Sequence, residues 1–190
     1  MDSTKCSTQS GSETALTFRS VEMTELDADL FSAFIRRQEV SSVWTKATGE
    51  WRIVEEPYID DWSQADIETL CEHLRTTLSR GGAVFGAFSG EKIKAFVSVE
   101  SVLYGSAREY LDMPYLHVSR ELRKQGVGRR LIGIAADWAK RHGAKKLYVS
   151  ANSSVETQAF YRAVGCVEAK EYDPEHVLHE PWDCQMEMVL

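Results

Sequence analysis

Long apolar runs are missing from this 190-residue chain: the most extended, Gly81 to Phe88 and Leu131 to Ala136, fall far short of the roughly 20 residues a bilayer-crossing helix needs. The expectation is a protein that does not span a membrane. Cysteine is sparse and scattered. Cys6, Cys71, Cys166 and Cys184 form no C-x-x-C pair, which argues against a zinc ribbon or a dense disulfide framework. Met1 to Thr14 holds seven Ser or Thr and no apolar block, so it reads as a disordered tail rather than a secretory leader. Reduced thiols and a cytoplasmic location follow as expectations. Positive charge is also in short supply, with 22 Lys and Arg against 29 Asp and Glu and a net charge of -7. That balance argues against nucleic acid or an anionic membrane as the main partner. His176 and His179, three apart with Cys184 nearby, lack a fourth well-placed ligand and read as a solvated loop rather than a metal site.

What is present is enough apolar character, 43% of residues, for one compact domain over residues 15–190. Ala15 to Val21 alternates like a strand, and Glu25 to Gln38 puts Leu26, Leu30, Phe34 and Ile35 on one helical face. Ser41 to Val54 reads as two short strands joined around Ala47, Thr48 and Gly49. Ser63, with Asp66 three residues on, predicts a capped helix to Ser79 that Gly81 and Gly82 stop. Ala83 to Phe88 and Ile93 to Val102 read as a hairpin, and Tyr110 to Val118 as one further strand. From Gly126 the period becomes helical through Trp138. A short strand Leu147 to Ser150, a helix Ser154 to Val164 and two last strands, Val167 to Tyr172 and Cys184 to Leu190, complete an α+β order.

The most informative stretch is Arg123-Lys124-Gln125-Gly126-Val127-Gly128, set between a strand and a helix. A glycine loop at a helix start leaves backbone N–H groups unpaired where the helix dipole favours negative charge, a phosphate-binding arrangement. The Gly-Lys-Ser/Thr ending of a Walker A loop is absent, and Leu131 stands where the dinucleotide fingerprint needs a third glycine. Between Arg120 and Lys146 nine basic residues face only two acids, a basic island in an acidic protein suited to a multiply phosphorylated ligand.

Leu116 through Gly128 resembles the signature of the GNAT superfamily of acetyl-CoA-dependent N-acetyltransferases, Q/R-x-x-G-x-G/A after a strand, with Arg123, Gly126 and Gly128 in the matching places. Downstream, the family's N-x-x-A-x-x-L-Y-x-x-x-G-F register falls on Ser154, Thr157, Phe160, Tyr161, Gly165 and Cys166. The tyrosine and glycine match; the Asn, Ala and final Phe do not. The resemblance runs from about Ala83 to Leu190 and implies a GNAT fold, a mostly antiparallel mixed sheet flanked by helices and splayed between two strands. It implies acetyl-CoA as cosubstrate without a metal, with Leu116 and Val118 offering main-chain groups to the pantetheine arm. Arg123, Lys124, Gln125, Gly126, Val127, Gly128 and Arg129 would hold the diphosphate.

In the same reading Tyr161 falls at the family's general acid, and Asp112, fourteen residues before Gly126, at the spacing where the histone-modifying branch places its catalytic carboxylate. Glu100 and Glu109 are other carboxylates of that region, and His117 points to the strand face opposite Leu116 and Val118, as a packed histidine would. The implied reaction is direct acetyl transfer to a primary amine in a ternary complex. A small cationic amine fits eight acids between Glu50 and Glu72 interleaved with Trp51, Tyr58 and Trp62. A protein amine as acceptor, a catalytically silent acyl-CoA-binding module, an interaction protein using the Trp-rich hairpin, and a homodimer all stay open at this point.

Overall fold

The computed structural model describes residues 15–46 and 49–190. The proposed tail, Cys6 within it, and the Ala47-Thr48 turn lie outside the described residues. Two four-stranded sheets and a separate hairpin make up the β structure. The first sheet runs β1 (Thr17–Ser20), β4 (Ala83–Ser89), β5 (Lys92–Val99), β7 (Tyr115–Val118), all antiparallel. In the second, β6 (Tyr110–Asp112) pairs in parallel with β8 (Lys146–Ala151), which pairs antiparallel with β10 (Cys184–Val189), and β10 with β9 (Val167–Glu168). The hairpin is β2 (Gln38–Thr45) with β3 (Arg52–Asp60).

Tyr110 to Val118 is therefore two strands in two sheets rather than one. The division falls at Asp112-Met113-Pro114. The Asp112 carbonyl accepts from the Glu100 N–H at 2.9 Å, on the first sheet's side, and the Met113 N–H donates to the Tyr148 carbonyl at 3.0 Å, on the second. Pro114 has no N–H to carry a ladder onward. Past it β7 stays with β5 and leaves β8, so the two sheets part like a wedge whose apex is Asp112-Met113.

Helices cover the sheets where their apolar stripes demand it. On α2 (Val127–Arg141), Leu131, Ile132, Ala135 and Ala139 pack on Val97, Val99, Leu111, Leu147 and Met186, spanning both sheets in one core. On the other face of the first sheet, Leu70, Cys71 and Leu74 of α1 (Gln64–Ser79) pack with Phe88, Ile93 and Phe96. The Ser63 and Asp66 capping box starts α1 as its spacing predicts. Two short helices finish the set, α3 (Val155–Ala163), capped by the Ser154 side chain, and α4 (Pro174–His179).

The expected helix over Glu25 to Gln38 is not formed. A 3-10 turn at Met23–Glu25 gives way to a chain of tight turns, with Phe31, Ser32 and Phe34 N–H groups bonding to carbonyls three residues back and the Asp27 carboxylate accepting from the Leu30 N–H at 2.9 Å. Aspartate's competition for backbone donors breaks the helical ladder. The buried set shifts with it: Phe31 is 1% exposed, while Ile35 is 46% exposed. Where the sequence read as a solvated loop around His176, Asp173 caps α4 with bonds from the Glu175 and His176 N–H groups, and Pro174 sits at its first position.

Candidate functional site

The site is the wedge between β7 and β8. Ser119 N–H donates to the Lys94 carbonyl, so in the β7–β5 register His117 and Tyr115 also turn their main-chain groups toward β5, and Leu116 and Val118 turn theirs to the free edge. The two residues expected to meet the pantetheine arm are thus the two whose main-chain groups face the opening. The Val118 carbonyl is taken by Arg123 Nε at 3.0 Å.

The loop after β7 delivers the N-terminus of α2 to the same opening. Lys124 and Gly126 both adopt left-handed backbone, at φ 62° and 82°, a sequence of turns that aims successive N–H groups outward. Gly126 is the helix N-cap, no side chain caps it, and the first in-helix bond runs from the Arg130 N–H to its carbonyl at 3.0 Å. The N–H groups of Val127, Gly128 and Arg129 therefore have no helical partner. A Cβ on Gly126 would meet nothing within 4 Å, whereas one on Gly128 would sit 3.2 Å from the Phe160 ring. Gly128 is the contact that lets α3 close against α2.

The side chains of the basic loop divide. Arg123 donates to the Val118, Arg37 and Arg36 carbonyls, pinning the end of β7 to the segment before β2. Burial, with Arg36 and Arg120 nearby, pushes its pKa down. Three of its five N–H donors are engaged in these bonds. Arg129 donates to the Ala163 carbonyl at the end of α3 at 2.9 Å, and Gln125 to the Glu121 carbonyl at 2.8 Å. Lys124 is exposed and enters no ion pair among the described residues.

Tyr161, on α3, is buried against Phe160, and burial, then Cys166 and Asp183, push its phenol well above the ordinary value. Burial favours its neutral O–H form. Asp112, at the apex, accepts at Oδ2 from His176 Nε2 at 3.0 Å, while its Oδ1 is buried without a hydrogen-bond partner. Glu109 is tied to Lys146 at 2.8 Å, and Glu100 accepts from Thr77. His117 packs edge-on to Trp62 at 4.8 Å, with burial, Arg36 and Arg123 pushing it down, so it stays neutral as a packed histidine does.

The acidic and aromatic residues of Glu50 to Glu72 find partners on several elements. Trp51 donates to Glu168 at 2.9 Å, Trp62 stacks on Phe34, and Tyr58 meets Asn152. Asp60 pairs with Arg36. The sequence offered no pointer to Asp183. Burial, Glu180 and Asp60 push its carboxyl up to about 7, and it is close enough to raise the phenols of Tyr58 and Tyr161. The buried thiols Cys166 and Cys184 are pushed up to about 12 by burial, which makes neither a nucleophile. No group of metal-ligating side chains occurs among the described residues, and no helix there is long and apolar enough to cross a membrane.

A free strand edge beside an uncapped, left-handed-turned helix start is the arrangement at the candidate site. The chain belongs to the acetyltransferase (GNAT) family, whose model matches residues 46–178. Among solved structures it is similar to a nourseothricin acetyltransferase, at 22% identity and TM-score 0.68 over 93% of this chain and 99% of that one. It is similar as well to a candidate streptothricin acetyltransferase from Bacillus anthracis str. Ames in complex with acetyl coenzyme A, at 19% identity and TM-score 0.66 over 93% and 100%. A third, the PaiA N-acetyltransferase of Thermoplasma acidophilum in complex with coenzyme A, is 17% identical with TM-score 0.57 over 93% and 99%. At these identities the likeness is one of fold. No curated protein matches the sequence.

Proposed function

We propose that the protein transfers the acetyl group of acetyl-CoA to a primary amine by direct attack within a ternary complex. The observation that carries this reading is the pairing of free donors: the outward main chain of Leu116 and Val118 on β7 beside the unpaired N–H groups at Val127, Gly128 and Arg129, with open space where a Cβ on Gly126 would stand. That geometry fits an amide-bearing arm leading to a diphosphate. Lys124 is the exposed cation beside the cradle.

Acetyl-CoA, when bound, supplies an activated acyl thioester. The chain's own contributions are positional and protonic. Unpaired N–H groups on β7 stabilise charge developing on a carbonyl oxygen held against them. Asp112, through its free Oδ1, takes the proton that the amine must lose. Tyr161 holds a proton up to high pH and gives it to the departing sulfur.

The acceptor is a small cationic amine. Asp183 has no ion pair among the described residues and sits among Glu180 and Asp60, a local excess of negative charge that an ammonium group relieves. Calorimetry with acetyl-CoA followed by acetyl transfer to a panel of mono- and polyamines tests the reading. Binding with transfer supports it; binding without transfer to any amine makes the protein an acyl-CoA-binding module; no binding rejects it.

A further inference from the structure

We infer that His176 is a positioning residue for the acetyl transfer, a fixed imidazolium that clasps Asp112 through one oxygen and leaves the other, buried and without a hydrogen-bond partner, at the apex of the wedge. The inference rests on the reading of Asp112 as the base. Both ring nitrogens of His176 meet carboxylates, Nε2 at 3.0 Å from Asp112 Oδ2 and Nδ1 at 3.1 Å from Glu180 Oε2. Only the doubly protonated ring can donate to both. The ring also stacks on Tyr148 of β8, with centroids 5.6 Å apart, so three contacts from three elements fix its plane.

Asp112 needs such a partner. Burial pushes its carboxyl up, and so do Glu100, at the end of β5, and Asp173, the cap of α4; His176 is the cation that acts against them. Among the described residues, Glu180, Asp183 before β10 and the phenol-bearing Tyr148 also face the ring. The bonds to Asp112 and then Glu180, against burial, push His176 up to about 10, so the cation persists through the neutral range. The clasp uses Oδ2 and leaves Oδ1, buried and without a partner, as the basic oxygen.

The arrangement also accounts for α4. A helix of six residues has little stability of its own, and its Asp173 cap and the His176 contacts anchor it to the second sheet's edge, with the Asp173 N–H donating to the Tyr148 hydroxyl at 2.9 Å.

The test is the pH profile of kcat/KM in the parent, His176→Gln and Asp112→Asn, with one good amine. Removal of the cation lets burial act unopposed, so the acid limb of His176→Gln should move up by about 1–3 pH units, with the rate recovering toward the parent's at high pH. A rate lowered equally at every pH, or an unchanged profile, overturns the inference and leaves His176 a structural latch. Retention of full activity by Asp112→Asn would instead reject the reading of Asp112 as base. Nitrogen-15 NMR of the imidazole in the parent stands independently of any variant's folding: both nitrogens should be protonated at neutral pH, and titration of His176 near the ordinary histidine value would break the clasp outright.

Discussion

Replacing Gly126 with alanine separates what the loop does for the fold from what it does for the ligand. Gly126 has φ 82°, where an L-residue is disfavoured by roughly 1–2 kcal/mol. A methyl there meets no atom within 4 Å, so steric overlap adds nothing. For a domain of this size each kcal/mol shifts the melting temperature by about 2–4 °C, so the free variant should melt about 2–8 °C below the parent. The ligand effect is of a different kind. At a hundredfold excess over Kd, acetyl-CoA should stabilise the parent by about 2.7 kcal/mol, a rise of about 5–11 °C. In Gly126→Ala a methyl is added at the N-cap beside the Val127, Gly128 and Arg129 N–H groups, and most of that rise should vanish. Differential scanning fluorimetry across an acetyl-CoA titration reads both numbers in one experiment. A variant that melts lower yet shows the parent's ligand-induced rise would refute the placement of the diphosphate at this helix start. A free variant that melts far below the estimate would show that the space is not open.

Tyr161→Phe keeps the ring against Phe160 and removes the proton donor, so kcat should fall by about 10²–10⁴-fold with acetyl-CoA affinity nearly unchanged; equal kcat under chemistry-limited conditions would make Tyr161 a packing residue. Arg123→Met keeps the stem and strands three backbone carbonyls, so urea denaturation should show a loss of about 3 kcal/mol, while a folded variant of parental stability would contradict the clamp. Glu168 is held down at about 2 by Lys46, then Tyr172 and Trp51. A depressed carboxylate stabilises the fold above its unfolded pKa and loses that contribution as pH falls from about 4.5 toward 2. The parent's melting temperature should therefore drop more steeply over that window than that of Glu168→Gln. Because Glu168 and Lys46 are both exposed, added salt should shrink the difference.

Local chemistry was legible where one segment decides its own structure. The Ser63–Asp66 spacing announces α1, and the Gly126 loop announces the start of α2, because caps and left-handed turns are set by residues adjacent in sequence. The Leu26, Leu30 and Phe34 periodicity misled because Asp27 satisfies a backbone donor that a helix would need, and Phe31 rather than Ile35 fills the core. The break at Met113-Pro114 depends on Glu100 and Tyr148 drawing adjacent residues to different sheets, a competition between distant segments that no window of sequence contains. Arg123 illustrates the same limit within the site. A cation beside a glycine loop reads as a phosphate ligand, and nothing local announces that the Arg36 and Arg37 carbonyls, distant in sequence, also accept from it. His176 was noticed for its spacing to His179, yet the Asp173-Pro174 start that makes its segment helical was there to be read.

The wedge between β7 and β8 is proposed to deliver acetyl from acetyl-CoA to an amine nitrogen. Incubating the protein with acetyl-labelled acetyl-CoA and a mixture of cationic amines, and following the label by mass spectrometry alongside free thiol, tests it directly. Label on an amine nitrogen, with one thiol released per acetyl transferred, is the expected result. Retention of the label on CoA with every amine offered, or release as acetate without an acetylated amine, would contradict it.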